Sequence, residues 1–179
     1  DGITYVQGVL IANKSYGLPS TYNPGGLTAD TYSAFVSLCN GAAADGLSLW
    51  NCSGFRSYAT QETLYNNYVA WNGQAAADTF SARPGYSEHQ TGLAIDVNDA
   101  SDNFIGTPEA EWLAAHCEEY GFIIRYPYGK DSVTGYKYEP WHIRYVGVDV
   151  ARAFHAAADA AGDPNYTLEE YLGIDSYYH

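Results

Sequence analysis

The amino-acid sequence predicts a single α+β domain in which helices flank a small antiparallel sheet. Its 179 residues suit one hydrophobic core. Segments with helical and strand-like periodicity alternate along the chain, with no repeat, charge block or evident linker between them. Hydrophobic residues make up 46% of the chain and charged residues only 16%, which is ample apolar material for a packed interior. We expect residues 1–26 to form an N-terminal arm of this domain and residues 27–179 to form its main part.

The first half of the chain is predicted to contain an irregular arm followed by helices and strands. Prolines and paired glycines make the arm irregular, with one short strand near Val9–Ile11. A helix begins at Thr28 and ends by Gly46, because its apolar residues recur at spacings of three and four. The other predicted elements are strands at 47–52 and 92–97 and a helix at 61–71.

The second half of the chain contains clearer signals for where helices begin and end. The run Thr-Pro-Glu at 107–109 predicts a helix start, because the hydroxyl can cap free amides, proline suits the first position and the carboxylate favours the positive end of the helix dipole. Gly121 ends this helix. The remaining predicted elements are two strands that we expect to pair, at Phe122–Tyr126 and 142–146, and two helices, at Val148–Ala161 and after a capping box of Thr167 and Glu170.

The charge balance excludes several classes of partner. With 21 acidic and 8 basic side chains the chain has a formal net charge of −13. Phosphate backbones and anionic membrane surfaces are repelled by such a protein, so we expect no nucleic-acid partner. No run approaches the roughly 18 consecutive apolar residues that span a bilayer, so we expect no transmembrane segment. The absence of methionine suggests that an initiator segment was removed, and a signal peptide or N-terminal anchor is compatible with this.

The three cysteines, Cys39, Cys52 and Cys117, do not form a metal-binding pattern. They are odd in number and contain no C-x-x-C pair, so a cysteine-built zinc site is not supported. Cys39 near the end of the first helix and Cys52 in the following strand are candidates for one disulfide. Three small buried thiols are the alternative interpretation, because geometry cannot be deduced from spacing.

Two segments carry side chains that can bind a metal and accept a proton. The first contains His89 and Asp96, and the second contains Glu139 and His142. Two histidines and an aspartate match the three nitrogen and oxygen ligands of a catalytic zinc, and a further carboxylate can accept a proton from water. Alternatives remain open on these residues alone, because Asp96 in its apolar strand can instead pair with Arg144 or with backbone amides. A single histidine is more often an ordinary half-buried side chain.

Three longer strings resemble one family of peptidases. They are SGFRSY at 53–58, SARPGYSEHQTGLAIDV at 81–97 and EPWHIRYVG at 139–147. These strings resemble the D-alanyl-D-alanine carboxypeptidases of the VanY type and the related L,D-carboxypeptidases that trim peptidoglycan tetrapeptides. Shorter matches extend the resemblance over nearly the whole chain. It implies the hedgehog/D-Ala-D-Ala-peptidase-like fold and makes residues 27–179 a zinc peptidase catalytic domain.

The same resemblance implies roles for individual residues. His89, Asp96 and His142 become the ligands of Zn²⁺ and Glu139 becomes the catalytic base. Arg56 is expected to bind the substrate, and its guanidinium can serve either to stabilise the oxyanion of the reaction or to bind the terminal carboxylate. The other expected substrate-binding residues are Ser87, Gln61, Tyr126, Tyr136, Tyr138 and Trp141. One departure from the family pattern is Phe55, which stands where many relatives have tyrosine.

Two arginines are alternatives to Arg56 in binding the substrate carboxylate. They are Arg83 and Arg144, and for Arg144 we favour pairing with a neighbouring carboxylate that supports the metal site. The three aromatic residues Tyr126, Tyr136 and Tyr138 lie on or beside the loop before Glu139, so we expect them to form pocket walls or a lid.

The resemblance implies an enzyme, secreted or anchored at the cell envelope, that removes a C-terminal D-alanine from peptidoglycan stem peptides, and we expect this enzyme to be a monomer. Whether the bond cleaved follows a D- or an L-residue stays open, because both kinds of enzyme share the quoted strings. Two other functions also remain. One is an endopeptidase that cuts within the stem, and the other is a non-catalytic zinc-bearing domain that only binds cell-wall peptides.

Overall fold

The computed structural model describes residues 2–179 and shows a mixed α+β domain with two small antiparallel sheets. The strands are β1 (Thr4–Val6), β2 (Val9–Ile11), β3 (Asn51–Ser53), β4 (Ala94–Val97), β5 (Phe122–Tyr126) and β6 (Glu139–Tyr145). The α-helices are α1 (Ala29–Ala44), α2 (Tyr58–Asn72), α3 (Gln74–Ala77), α4 (Pro108–His116), α5 (Asp131–Thr134), α6 (Val148–Ala161) and α7 (Leu168–Leu172). Short 3₁₀ helices lie at Glu88–Thr91, Asp102–Phe104 and Cys117–Tyr120.

The main sheet has the strand order β3-β4-β6-β5, and all of its pairs are antiparallel. Ile95 pairs with Ile143 and Asp96 pairs with His142. Because side chains alternate between the faces of a strand, the two isoleucines point to one face and Asp96 and His142 point to the other. The sheet therefore carries an apolar core on one face and polar side chains on the other.

Two apolar clusters hold the helices against this sheet. The larger one joins α1 and α4 to the isoleucine face of the sheet, with Leu38, Leu113, Ile95 and Ile143 completely buried. The second joins β2, α6 and α7 to β5 through Ile123. Because consecutive residues Phe122 and Ile123 belong to different clusters, β5 is covered on both faces.

Helix boundaries follow local signals in the sequence. The side chains of Thr28, Ser57 and Thr107 each accept a hydrogen bond from the backbone three residues later, which caps α1, α2 and α4. The predicted ranges of β5 and α6 are confirmed, as is the capping box of Thr167 and Glu170 before α7. The predicted pairing of β5 with β6 is also confirmed.

Several predicted strand boundaries were wrong. The strand predicted at 47–52 occupies only Asn51–Ser53, and the one predicted at 142–146 begins earlier, at Glu139. The arm contains a hairpin rather than one strand, because Gln7 and Gly8 both have positive φ, at 50° and 79°, and turn β1 back on β2.

Two further sequence expectations concern a disulfide bond and a transmembrane segment. Cys39, Cys52 and Cys117 are all free thiols, so the candidate disulfide between the first two does not form in this structure. Cys52 is exposed rather than buried. None of the helices within residues 2–179 combines the length and the hydropathy that a bilayer-spanning segment requires.

Candidate active site

The face of the sheet opposite the isoleucines brings three predicted metal ligands together. Asp96 on β4 and His142 on β6 are direct partners in the antiparallel pairing. His89 belongs to the 3₁₀ helix just before β4, whose first turn is capped by the side chain of Ser87. Gly92 joins this helix to β4 with φ of 73°, and a side chain there would come within 2.5 Å of the Gly26 carbonyl oxygen. Only glycine fits this turn, which fixes His89 relative to Asp96.

His89, Asp96 and His142 are buried and close enough to share one cation. One ligand atom from each lies within 4.8 Å of the others. Nε2 of His89 lies 3.3 Å from Oδ2 of Asp96, and Nδ1 of His142 lies 3.2 Å from Oδ1. The second ring nitrogens face other partners, since Nδ1 of His89 lies 2.6 Å from the Gly54 carbonyl oxygen and Nε2 of His142 lies 3.0 Å from Oε1 of Glu88.

The electrostatics of these three residues fit a divalent cation. Burial alone would raise the pKa of Asp96, but the two imidazoles lower it below its usual value, so the carboxylate is ionised. Burial lowers the pKa of His89, which keeps that imidazole neutral. Although Nδ1 of His142 is near, Oδ1 of Asp96 accepts no hydrogen bond. A buried anionic oxygen without a donor, beside two imidazole nitrogens, matches the nitrogen and oxygen ligand set of a catalytic zinc.

Glu139 lies beside these ligands and has a strongly perturbed acidity. One of its carboxylate oxygens is 3.9 Å from Nδ1 of His142. Its pKa is raised to about 7, mainly because burial disfavours the charged form. The pairing between β5 and β6 shifts between Ile124 and Tyr126, so that Tyr126 is the partner of Glu139. Such irregularities redirect side chains, and here Glu139 faces the same cavity as His142.

A cavity of about 240 Å³ surrounds this group. It is also lined by most of the residues predicted to bind substrate, namely Arg56, Gln61, Ser87, Tyr126, Tyr136 and Trp141. Tyr138 is not among the lining residues, and its ring instead packs edge-on against Tyr128. The sequence interpretation did not include Tyr68, Phe80 and Lys137, which also line the cavity. Tyr68 and Phe80 pack edge to face, with ring centroids 5.0 Å apart, and form an aromatic wall.

Three further buried polar atoms of side chains that line the cavity have no hydrogen-bond partner. They are Nε of Arg56, Oε1 of Gln61 and the hydroxyl oxygen of Tyr136. The amide nitrogen of Gln61 is held by the carbonyl oxygen of Ala82 at 2.8 Å, which leaves the amide oxygen free to accept a hydrogen bond. Because unpaired buried polar groups are costly, a donor and an acceptor left free in one cavity indicate a polar ligand.

The structure distinguishes Arg56 from the two alternative arginines. Arg83 pairs with Asp78 at 2.9 Å and stacks on the ring of Tyr178, outside the cavity lining. Arg144 donates to Glu88 at 3.1 Å, which is the supporting role favoured for it from sequence. Its carboxylate partner is Glu88 rather than Asp96. Arg56 is therefore the arginine that lines the cavity.

Glu88 is a buried residue that the sequence interpretation did not single out. Its side chain is completely buried and contacts His142 directly. Burial alone would raise the pKa of Glu88, but the charges of Arg125 and Arg144 hold it well below its usual value. The sequence did contain one signal for Glu88, which is its position next to His89. A charged side chain that is buried there has to be paired with an opposite charge.

Known proteins resemble this chain over most of its length. A family profile described as VanY, D-alanyl-D-alanine carboxypeptidase, matches residues 25–148. The chain is 34% identical to the putative carboxypeptidase YodJ of Bacillus subtilis, over 96% of this chain and 71% of that protein. The crystal structure of an L,D-carboxypeptidase, DacB of Streptococcus pneumoniae, is 42% identical with a TM-score of 0.80, and covers 95% of this chain and 89% of its own. A mutant of the vancomycin-resistance D,D-pentapeptidase VanY in complex with Zn(II) is 32% identical with a TM-score of 0.73, over 90% and 97% of the two chains.

Proposed function

Because the chain belongs to the VanY family of zinc-dependent D-alanyl-D-alanine carboxypeptidases, we propose that it removes a C-terminal D-alanine from peptidoglycan stem peptides. One observation carries this proposal. His89, Asp96 and His142 lie within bonding reach of a common cation, and the carboxylate of Glu139 stands beside them in the same cavity. A set of three ligands with a separate proton acceptor is the arrangement that metal-assisted peptide hydrolysis needs.

His89, Asp96 and His142 would hold the zinc. When bound, the metal polarises the scissile carbonyl and lowers the pKa of water toward about 7. The chain's own contribution is to fix both imidazoles through their second ring nitrogens, by the Gly54 carbonyl oxygen and by Glu88. Fixed ligands stay in place during the reaction and need no reorganisation.

Glu139 would transfer the protons of the reaction. Its carboxylate accepts a proton from the attacking water and returns it to the amine of the departing D-alanine. A general base works best with a pKa near the operating pH, and burial raises the pKa of Glu139 to about 7. In the metal-free protein Glu139 therefore exchanges its proton near neutral pH, and a bound cation would favour the ionised form that accepts a proton.

Arg56 and its neighbours would recognise the end of the substrate. The guanidinium of Arg56 supplies a fixed positive charge with an unpaired donor for the terminal carboxylate or the developing oxyanion. Ser87 and the free amide oxygen of Gln61 offer a hydroxyl and an acceptor in the same cavity. A cavity of about 240 Å³ is small for a ligand pocket, which suits the end of a chain better than the middle of one.

Of the two bond types, we favour the L,D bond. The L,D-carboxypeptidase from Streptococcus pneumoniae is 42% identical to this chain, against 32% for the D,D-pentapeptidase VanY. The TM-score of the L,D-carboxypeptidase is also higher than that of VanY, at 0.80 against 0.73. We further propose that the enzyme acts at the cell envelope, where stem peptides are found, and that it acts as a monomer, since the metal ligands, Glu139 and Arg56 share one cavity of a single domain.

The decisive experiment compares two substrates and one variant. Zinc-loaded protein is incubated with stems ending in L-Lys-D-Ala and in D-Ala-D-Ala, and the products are identified by mass spectrometry. We expect faster release of D-alanine from the first stem. Release of internal fragments would indicate an endopeptidase, and no cleavage of either stem would support a domain that only binds.

The matched variant is Glu139→Gln, which keeps the shape of the side chain but removes the proton acceptor. We expect kcat to fall about a thousandfold, while the zinc content measured by atomic emission stays at the wild-type value. A variant that retains kcat within tenfold would show that Glu139 is not the base.

A further inference from the structure

A series of buried ion pairs connects His142 to the C-terminal helix α7. Oε1 of Glu88 lies 3.0 Å from Nε2 of His142, and Oε2 accepts hydrogen bonds from Arg125 at 2.6 Å and Arg144 at 3.1 Å. The terminal nitrogens of Arg125 donate to both oxygens of Glu169, at 2.7 and 2.6 Å. The four charged side chains beyond His142 are at most 2% exposed. We call Glu88, Arg125, Arg144 and Glu169 the ion-pair network.

The far end of this network lies where three segments of the chain meet. Glu169 is the second residue of α7 and also accepts a hydrogen bond from Asn13 of the arm at 3.0 Å. The same Asn13 amide donates to the backbone carbonyl of Asp175, which follows α7. Moving α7 therefore requires breaking contacts that lead back toward His142.

The geometry of the network restricts how His142 can turn. Arg125 presents a rigid planar fork, and its bidentate contact with Glu169 sets the direction in which Nε points at Glu88. Glu88 lies against Nε2 of His142, so Nδ1 is the ring nitrogen that faces Asp96 and the other metal ligands. Carboxylates that hold the outer nitrogen of a ligand histidine fix its orientation and the nitrogen that is protonated.

We propose that Glu169 is a positioning residue for the metal centre, acting through Arg125 and Glu88 on the ring of His142. Docking of α7 and binding of the metal then stabilise each other. The proposal rests on the metal site described above, but not on the identity of the substrate. Because coupling between two sites is reciprocal, it predicts an effect in both directions.

The neighbouring residue Glu170 offers a matched control on the same helix. Its carboxylate accepts from the Thr167 backbone at 3.0 Å and from Lys130 at 2.6 Å, and it is 31% exposed. These contacts stabilise α7 but do not lead to His142. A change at Glu170 thus removes partly exposed contacts of α7 but leaves in place the contacts of Glu169 that hold this helix against Arg125 and Asn13.

The first test measures the zinc dissociation constant by competition with a chromogenic chelator, at a temperature where each protein is folded. We expect Glu169→Gln to raise the constant about tenfold and Glu170→Gln to leave it within twofold. Equal constants for wild type and Glu169→Gln, or equal increases in both variants, would overturn the proposal. If wild-type protein binds no zinc, the assignment of the metal site is wrong, and this outcome is distinct from a failure of the role proposed for Glu169.

The second test requires no variant and so remains decisive if Glu169→Gln does not fold. Amide hydrogen exchange is followed in wild-type protein with zinc and after chelation, at Tyr171 and Ile174, whose N–H groups are bonded to the carbonyls of Thr167 and Glu169. We expect chelation to speed their exchange about tenfold, matching the change in zinc affinity. Amides of α6 that do not contact the network serve as the reference. Unchanged exchange at Tyr171 and Ile174 would refute the coupling.

Discussion

Two groups of buried charges meet at His142 and differ in how completely they are balanced. In the ion-pair network two carboxylates face two guanidiniums, and each carboxylate oxygen has a partner. In the metal-ligand cluster, defined as the ligands His89, Asp96 and His142 together with the adjacent base Glu139, carboxylates face imidazoles, and one oxygen of Asp96 accepts no hydrogen bond. Both groups are shielded from solvent to a similar degree.

The difference separates structural charges from functional ones. Burial of a charge is tolerated when the protein supplies the opposite charge, and the network meets this condition by itself. The metal-ligand cluster does not, since its acidic groups lack an arginine or lysine bonded to them. Perturbed pKa values occur in both groups, so the unmet bonding capacity, more than the pKa, identifies the reactive one.

The largest expected effect is the loss of stability when the ion-pair network is broken. The substitution Arg125→Met leaves Glu88 paired with Arg144 and leaves Glu169 buried with no guanidinium partner, so we expect the free energy of unfolding to fall by about 3–5 kcal/mol. Urea denaturation of the zinc-free protein measures this. The control is Arg152→Met at an exposed position of α6, with an expected change within about 0.5 kcal/mol. Similar losses in the two variants would remove the contrast between network and surface.

The second largest effect is expected when zinc binds to the metal-ligand cluster and supplies the missing positive charge. Zinc at a hundredfold excess over its dissociation constant should stabilise wild-type protein by about 2.7 kcal/mol. Asp96→Asn should abolish this gain, because an amide is a poor replacement for the anionic ligand. Thermal unfolding with zinc and with a chelator measures both. Equal zinc stabilisation of variant and wild type would show that Asp96 is not a ligand.

The change in zinc affinity with pH is expected to be smaller, for each pH unit, than the two effects above. Burial alone would lower the pKa of His142, but its carboxylate neighbours Asp96 and Glu88 raise it to about 9 in the zinc-free protein. Because the pKa is raised on folding, the protonated imidazole stabilises the zinc-free fold at low pH, and this contribution is lost as the pH rises through about 9. Zinc must displace that proton, so its affinity should fall about tenfold, or 1.4 kcal/mol, for each pH unit below 9.

Zinc titrations at pH 7, 8 and 9 measure this slope. Glu88→Gln is the informative comparison, because loss of one carboxylate neighbour should lower the pKa of His142 and move the onset of the slope to lower pH. An affinity independent of pH between 7 and 9 in wild-type protein would contradict the predicted protonation of His142.

The smallest effect is expected from Asp96→Asn in the absence of zinc. Removing this charge loses the contacts with two imidazoles that keep the pKa of Asp96 low, but it leaves no charge without a partner, because His142 can then release its proton. We therefore expect the free energy of unfolding to fall by about 1 kcal/mol, less than for Arg125→Met. A loss comparable to that of Arg125→Met would mean that the two groups are equally balanced after all.

Features encoded by nearby residues could be predicted from the sequence. Glycine stops and side-chain caps defined β5, α6 and the start of α7. Strand β6 begins three residues earlier than predicted, because Glu139-Pro140 has the composition of a loop and is accommodated by a shift in the pairing. The hairpin of the arm was missed because its turn is Gln7-Gly8, which is not among the common turn pairs.

The metal-ligand cluster and the ion-pair network also differ in whether a local sequence pattern reveals them. His89, Asp96, Glu139 and His142 were found because their types and context point to one chemistry. The pairing of Glu88 with Arg125 and of Arg125 with Glu169 joins residues 37 and 44 positions apart. Nothing in the local pattern specifies which distant side chains meet, so contacts of this kind need the folded structure.

The central position of β6 limits how the chain can change in length. This strand is hydrogen-bonded on both sides, to β4 and to β5, and directs His142 toward the cavity and Ile143 toward the core. Deletion of a single residue ahead of His142 within the strand would exchange the two faces and place an isoleucine among the ligands. The connection from β5 to β6 is free of that constraint, although it carries Lys137 at the edge of the cavity. Insertions that diversify substrate preference are therefore expected to accumulate in this connection rather than in the strand.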